Sequence, residues 1–291
     1  LCSFPDWEAM QETDGQPHPS TDEPAGTGGS VAVTAVETTD SILECHIEVS
    51  GRVGTYLTGE PLRADYGQSV DDVSESVLVA PALALVCPVA WASGASVSVE
   101  RIDPEFLVSL HRVRQALARL APALVQGGDI VYEEATCEGL CDGTNSRERR
   151  ESALLFTGGV DSLASYIRLQ AVSPTLVRVY DWDLPESMWG HAAEQLTSFG
   201  RRHGCETATI QTNASAVLDT ELLNATFGPD LPGTWQQAVG GGLALLGLAA
   251  PLCAARGVDR VAFPSSHARP VTGPWGSHPD VVEEVRWTGT T

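Results

Sequence analysis

Apolar and polar residues alternate at period two through "SVAVTAV" (Ser30 to Val36) and again through "ILECHIEV" (Ile42 to Val49). With the turn-like "ETTDS" between them, the pattern predicts a β-hairpin. "GRVGTYLTG" predicts a third short strand. From Val73 to Ala92 the chain is predominantly apolar, a predicted helix that Pro81 and Pro88 start, kink or stop. "SVSVERI" returns to strand alternation. Asp103-Pro104-Glu105 has the form of a helix start, an N-cap followed by proline at the first helical position. Phe106, Leu110, Val113, Leu117, Leu120 and Leu124 then follow at spacings of four and three, one continuous apolar stripe. "DIVYEEA" predicts a closing strand. Residues 30–137 thus read as a small α+β domain. Residues 1–29, rich in Pro, Gly, Ser, Thr and acids, read as a flexible tail, and the polar segment 138–150 as a linker.

Beyond the linker the pattern changes to β-α-β-α. Strands are predicted at Ala153–Phe156, Thr175–Tyr180, Glu206–Gln211 and Arg260–Pro264, and helices at Asp161–Ala171, Glu186–His203 and Trp235–Arg256. Such alternation implies an α/β fold: a parallel sheet with helices on both faces, across residues 151–291. Ligands in such folds collect at the carboxyl ends of the strands. The longest uncharged run, Leu231 to Ala255, reaches membrane-spanning length but contains three consecutive glycines and Pro251. A buried helix is the expectation, with no membrane partner.

Charge alters the picture of the surface. Thirty-eight acidic residues face 17 basic ones, a net charge of −21, and every Lys/Arg position is arginine. A surface that acidic suits concentrated salt, which screens the self-repulsion, so the composition points to a halophilic source, with a GC-rich genome that favours arginine codons as the other reading. It argues against broad nucleic-acid binding. Seven cysteines at scattered positions, without a Cys-x-x-Cys pair, indicate neither a disulfide framework nor a zinc knuckle. Cys137 and Cys141 could approach one another on a loop. "LCSFPDWEAM" has neither the basic start nor the apolar core of a signal peptide, and the expected location is cytoplasmic.

The candidate chemistry sits where the first strand of the β-α-β-α region meets its helix, in "ALLFTGGVDSLASYIRL". Gly158 and Gly159 can take positive φ and leave room for a ligand against the backbone. Their N–H groups, with those of the first helical turn, form an anion cradle reinforced by the helix dipole. Thr157 and Ser162 add hydroxyls. Asp161 beside a bound phosphate requires either Mg²⁺ or a capping task on the loop's own amides, and an ordinary glycine-rich turn stays open as the bland reading. A Walker P-loop is excluded, because its lysine is missing.

"FTGGVDS" resembles the Ser-Gly-Gly-x-Asp-Ser signature of the PP-loop ATP pyrophosphatases, with threonine in first place. "LVRVYDWDLP", the uncharged helix after Trp235, "VAFPSSHARPVTGPWGSHP" and the earlier "DPEFLVSLHRVRQAL" fall in the order found in relatives of 7-cyano-7-deazaguanine synthase. The resemblance spans residues 70–285. It implies a HUP/Rossmann-like domain that cleaves ATP to AMP and pyrophosphate, adenylating a small-molecule or peptide carboxylate or carbonyl for attack by a nitrogen nucleophile. ATP and Mg²⁺ are the implied cofactors. Thr157, Gly158, Gly159, Val160 and Ser162 would hold the pyrophosphate portion, and Asp161 the Mg²⁺.

Tyr180, Asp181 and Ser265 would lie along the nucleotide, with Asp181 accepting a ribose or base hydrogen bond. Helix initiation by Asp181 and Asp183 is the other reading. Arg269 would be the cation on the α-phosphate or substrate, and His267 or His278 the base. Trp275 with Gly276 could wall a flat substrate, and Asn224 and Thr226 could lie in a covering loop. The deazaguanine enzymes carry a four-cysteine zinc site not seen here, and the resemblance leads to an expectation of further sequence after Thr291. Two other functions stay open: a nucleotide-binding regulatory or defence module without turnover, and an ATP-dependent sulfur transferase. The latter needs a reactive cysteine near the loop, whereas Cys205 and Cys253 are expected to be buried. A homodimer stays open as an arrangement.

Overall fold

Nine strands hydrogen-bond into one mixed sheet in the order β5-β4-β1-β2-β3-β8-β7-β6-β9. They are β1 (Ser30–Thr39), β2 (Ile42–Ser50), β3 (Leu62–Asp65), β4 (Ser96–Ile102), β5 (Ile130–Ala135), β6 (Glu151–Leu155), β7 (Thr175–Tyr180), β8 (Thr207–Thr212) and β9 (Val258–Ala262). The structure, a computed structural model, describes residues 28–136, 151–181, 184, 186–265, 273 and 275–291. The expected tail and linker, with Cys137 and Cys141, lie outside the described residues, apart from Gly28 and Gly29.

The predicted hairpin forms. Thr39 pairs with Ile42, leaving a two-residue turn in which Asp40 takes φ 56, a left-handed conformation that a short polar side chain tolerates. The expected strand in "GRVGTYLTG" does not form. Gly51 (φ 71) swings the chain into a 3-10 turn, Arg52–Tyr56, and the Val53 N–H donates to the Gly28 carbonyl at 2.9 Å. The third strand is β3, a few residues later. It pairs antiparallel with β2 on one side and with β8 on the other, so the sheet continues from one half of the chain into the other.

Six helices of eight or more residues cover the sheet among the described residues: α1 (Ala80–Ser93), α2 (Pro104–Leu120), α3 (Val160–Leu169), α4 (Trp189–His203), α5 (Thr220–Phe227) and α6 (Gly241–Arg256). Every residue of α1 is buried, and the helix continues through Pro88. Burial on all sides of the helix offsets the cost of the hydrogen bond that proline removes. α2 starts as its sequence predicts, with the Asp103 side chain accepting from the Phe106 N–H. Its stripe buries Phe106, Leu110, Val113 and Leu117, but the helix ends at Leu120, before Leu124.

β6 shows why helices occupy both faces. Ala153 and Leu155 point into the main core, which includes α1 and α6 residues from both halves of the chain. Leu154 and Phe156 point the other way, into a second cluster with Tyr166 of α3 and Leu196 of α4. Gln236–Arg256 has the length and hydropathy (1.8) of a membrane span, but the fold buries 72% of that window. The helix expected from Trp235 is regular only from Gly241, and Gln236–Gly240 are wound as a π-turn.

On α2, burial and the nearby Arg114 hold His111 below its ordinary pKa, against the opposing pull of Asp129. A lowered histidine adds stability above the unfolded value of about 6.5 and loses it as pH falls through that value towards the folded one. In His111→Gln the loss of thermal stability on acidification through this window is therefore expected to be shallower than in wild type, as read by melting temperature against pH.

Candidate functional site

The four strands of the second half run parallel in the order β8-β7-β6-β9. Two successive connections from β6 lead one way along the sheet, and β9 lies on the other side of β6. The chain order thus reverses beside β6, and in open α/β sheets the crevice at the carboxyl ends of such strands is where ligands gather. Thr157–Ser162 occupies that place.

One of its two glycines needs to be glycine for conformational reasons. Gly158 sits at φ 80, and a Cβ there would meet nothing within 4 Å, so the space over it is open. Gly159, at φ −75 and ψ 172, is ordinary extended backbone and does not use the positive φ open to it. It occupies the N-cap position of α3, whose first internal bond runs from the Leu163 N–H to the Gly159 carbonyl at 3.0 Å. Among the described residues the N–H groups of Gly158, Val160 and Asp161 have no acceptor, as expected at a helix start. Val160 is 83% exposed and Asp161 is exposed beside it.

The two hydroxyls behave differently. Thr157 is exposed, with Oγ1 3.4 Å from the Gly159 nitrogen. Ser162 is buried, and its Oγ donates to the Gly159 carbonyl at 2.9 Å. It braces the turn from beneath instead of offering its proton to a ligand.

Arg178, which the sequence reading missed, supports the loop from the neighbouring strand. Its Nη1 donates to the Thr157 carbonyl, and its Cζ lies 5.7 Å from the centroid of the Tyr180 ring. The available signal was a charge inside the apolar strand "TLVRVY". A cavity of about 400 Å³ adjoins this point, lined by Phe156, Thr157 and Arg178 and, across from them, by Gln236 and Gln237 of the π-turn. The glutamines also escaped notice, because nothing in sequence brings the start of α6 over the ends of β6 and β7.

Several sequence candidates are placed differently. Tyr180 is fully buried and stacks on Trp189 at 5.9 Å, so its ring does not reach a ligand at the strand end. The Asp181 carboxylate accepts from both the backbone N–H and the hydroxyl of Ser215, which commits it to holding the segment after β8. Asn224 and Thr226 lie in α5, not in a covering loop, and Asn224 Oδ1 accepts from the Trp235 N–H at 2.6 Å. His278 is 1% exposed and its Nδ1 accepts from the Asp280 N–H, a capping task in place of the expected base.

Ser265 Oγ donates to the Ser277 carbonyl at 2.9 Å. Trp275 is half-buried against Gly233. Gly276 anchors this segment on the π-turn that precedes α6, its N–H donating to the Gln237 carbonyl at 2.8 Å. Asp183, Ser266, His267 and Arg269 lie outside the described residues.

The thiols divide by position. Burial pushes Cys45 and Cys253 up to about 12 and raises Cys87 as well. Cys205 is half-buried, not buried as expected, and it precedes β8 at the amino end, away from the glycine turn. Among the described residues no cluster of three or more His, Cys, Asp or Glu could hold a metal ion. A phosphate-borne Mg²⁺ needs only one or two carboxylates from the protein, which Asp161 fits. The chain matches no family model, no curated protein and no solved structure.

Proposed function

We propose that the chain is an ATP-dependent, AMP- and pyrophosphate-forming ligase of the PP-loop type. It adenylates a small-molecule or peptide carboxylate or carbonyl for a nitrogen nucleophile, as 7-cyano-7-deazaguanine synthase-like proteins do. The finer fold reading belongs to the same proposal: a HUP/Rossmann-like unit in residues 151–291 preceded by a smaller α+β unit, working in the cytoplasm. The observation that carries it is the open glycine turn at the carboxyl end of β6, with unpaired amides, an exposed carboxylate and an adjoining cavity at one point.

The chain's own groups have distinct tasks in this reading. The Val160 and Asp161 amides, at the positive end of α3, meet the polyphosphate. The Thr157 hydroxyl reaches the same oxygens. Arg178 holds the loop through the Thr157 carbonyl and places positive charge beneath it. Gln236 and Gln237 offer side-chain amides to the base or the acyl group in the cavity, Gln237 chiefly as a donor because its Oε1 already accepts from the Thr234 N–H at 3.2 Å. Bound ATP with Mg²⁺ supplies the activated α-phosphorus and an offset for charge on the leaving pyrophosphate. The unreactive state of Cys45, Cys87 and Cys253, and the remoteness of Cys205, speak against sulfur transfer by these residues.

Calorimetry with ATP and Mg²⁺ tests the site. Wild type is expected to bind, and Asp161→Ala to bind about tenfold more weakly or worse, the size of a lost charge-assisted contact. Equal affinities would remove Asp161 from the site. Release of AMP and pyrophosphate in equal amounts, only when an acceptor is added, would identify turnover.

A further inference from the structure

Among the described residues six large apolar side chains are exposed, and three of them sit on α3 and the 3-10 turn that continues it, Gln170–Val172. They are Val160 (83%), Ile167 (62%) and Val172 (57%). Val160, exposed Ala164 and Ile167 recur at spacings of four and three, so they form one stripe along the helix. Ser162 and Tyr166, the buried residues of α3, occupy the face turned away from that stripe, with Tyr166 in the second core cluster. Apolar side chains exposed singly need no explanation, but a group of them on one helix face marks an interaction surface.

The charges beside the stripe indicate which partner fits it. Asp161 and Arg168 lie seven residues apart, about two helical turns, so both stand on the same flank, one in the first turn and one in the last. Both are exposed, and neither side chain has a hydrogen bond or ion pair among the described residues. When two identical helices pack antiparallel about a two-fold axis, like flanks face one another and the contacts are reciprocal. The midpoint of Val160 and Ile167 falls just before Ala164, and that of Asp161 and Arg168 just after it. Each is half a residue from Ala164, under about 1 Å of helix rise, so one crossing there serves both pairs. The small Ala164 side chain lets the helices approach. Val160 then meets the partner's Ile167, and Asp161 meets the partner's Arg168. An unrelated partner requires no acid and base at equal distances from the centre of the stripe, whereas a second copy does.

We propose that the chain self-associates through α3, antiparallel about a two-fold axis at Ala164, with the Asp161–Arg168 pairs closing one flank of the contact. One helix pair is smaller than the roughly 1,600 Å² of a standard interface, so the dimer is weak. The net charge of −21 on each copy adds a repulsion that salt screens. The free amides of the first turn point along the helix axis, past a partner packed on its side, so the proposal stands apart from the nucleotide reading. Asp161 is the side chain common to both, and the test therefore omits nucleotide and Mg²⁺.

Sedimentation of the full chain at about 100 μM, in about 0.15 M salt where charges beyond ~8 Å are screened, is the measurement. A concentration-dependent rise above the 30.8 kDa of one chain is expected. Ile167→Glu and Arg168→Asp should each weaken association about tenfold or more, by burying a charge or by opposing like charges. Combining Asp161→Arg with Arg168→Asp restores the opposite-charge contact between copies and should recover affinity to within about threefold of wild type. A monomeric wild type, unaltered association in Ile167→Glu, or a double variant no better than Arg168→Asp overturns the proposal. If arginine at 161 disturbs the helix start, Ala164→Arg decides it: a long charged side chain at the crossing should abolish the dimer, and a dimer that persists overturns the proposal.

Discussion

Gly242→Ala is expected to lower the melting temperature by about 6–12 °C. The methyl group would land 1.8 Å from the Gly276 carbonyl oxygen, 2.7 Å from its carbon and 3.0 Å from Val282 Cγ1. The nearest of these atoms belong to backbone, so no side-chain rotation relieves the clash. Either α6 or the segment after β9 must move, and the Gly276–Gln237 hydrogen bond would go with it. Overpacking of this kind costs roughly 3 kcal/mol, at about 2–4 °C per kcal/mol for a large domain. Because Gln237 and Gly241 line the cavity beside the glycine turn, ligand affinity there should fall as well. Calorimetric melting of the variant checks the first effect. An unchanged melting temperature would mean that the segment does not rest on the helix.

The second large effect lies five residues further along α6. A Cβ on Gly247 would come 2.3 Å from Ala84 Cβ and 3.0 Å from the Ala80 carbonyl oxygen, where α6 crosses α1. Gly247→Leu should cost about 3 kcal/mol or more and Gly247→Ala about 2 kcal/mol, since both helices are buried on every side at the crossing. The nearest contact is side chain to side chain, so it can be relieved. Combining Gly247→Ala with Ala84→Gly should recover about 1 kcal/mol relative to the sum of the single changes, although a glycine inside α1 has its own helix cost. Denaturant melts of the four proteins give the coupling. Strict additivity would show that the two helices do not meet at this pair.

The start of α2 and the hairpin show what local pattern can specify. Asp103 caps the next turn through its own side chain, and the alternation of β1 and β2 needs only a neighbouring strand to pair. Both are short-range matters of geometry. The segment after Gly51 shows the limit. Its composition is compatible with a strand, and a distant acceptor, the Gly28 carbonyl, helps select a 3-10 turn. The candidate site divides in the same way. The glycine turn was legible because a positive φ and a helix start leave marks in adjacent residues, whereas Arg178 and the Gln236–Gln237 pair lie far from the turn and from each other along the chain.

By itself the sequence determined the alternation of strands and helices, the cap of α2, the apolar character of α1 and α6, the acidic surface and the position of the glycine turn. Each of these follows from side-chain chemistry within about one turn or one strand pair. Only the tertiary structure decided that β3 joins β8 into one sheet, that Tyr180 and Asp181 turn inward to Trp189 and Ser215, and that the start of α6 closes over the ends of β6 and β7. These outcomes depend on which distant surfaces bury one another and which buried polar groups find partners. Such competitions are settled across the whole core, and no short window of residues contains their terms.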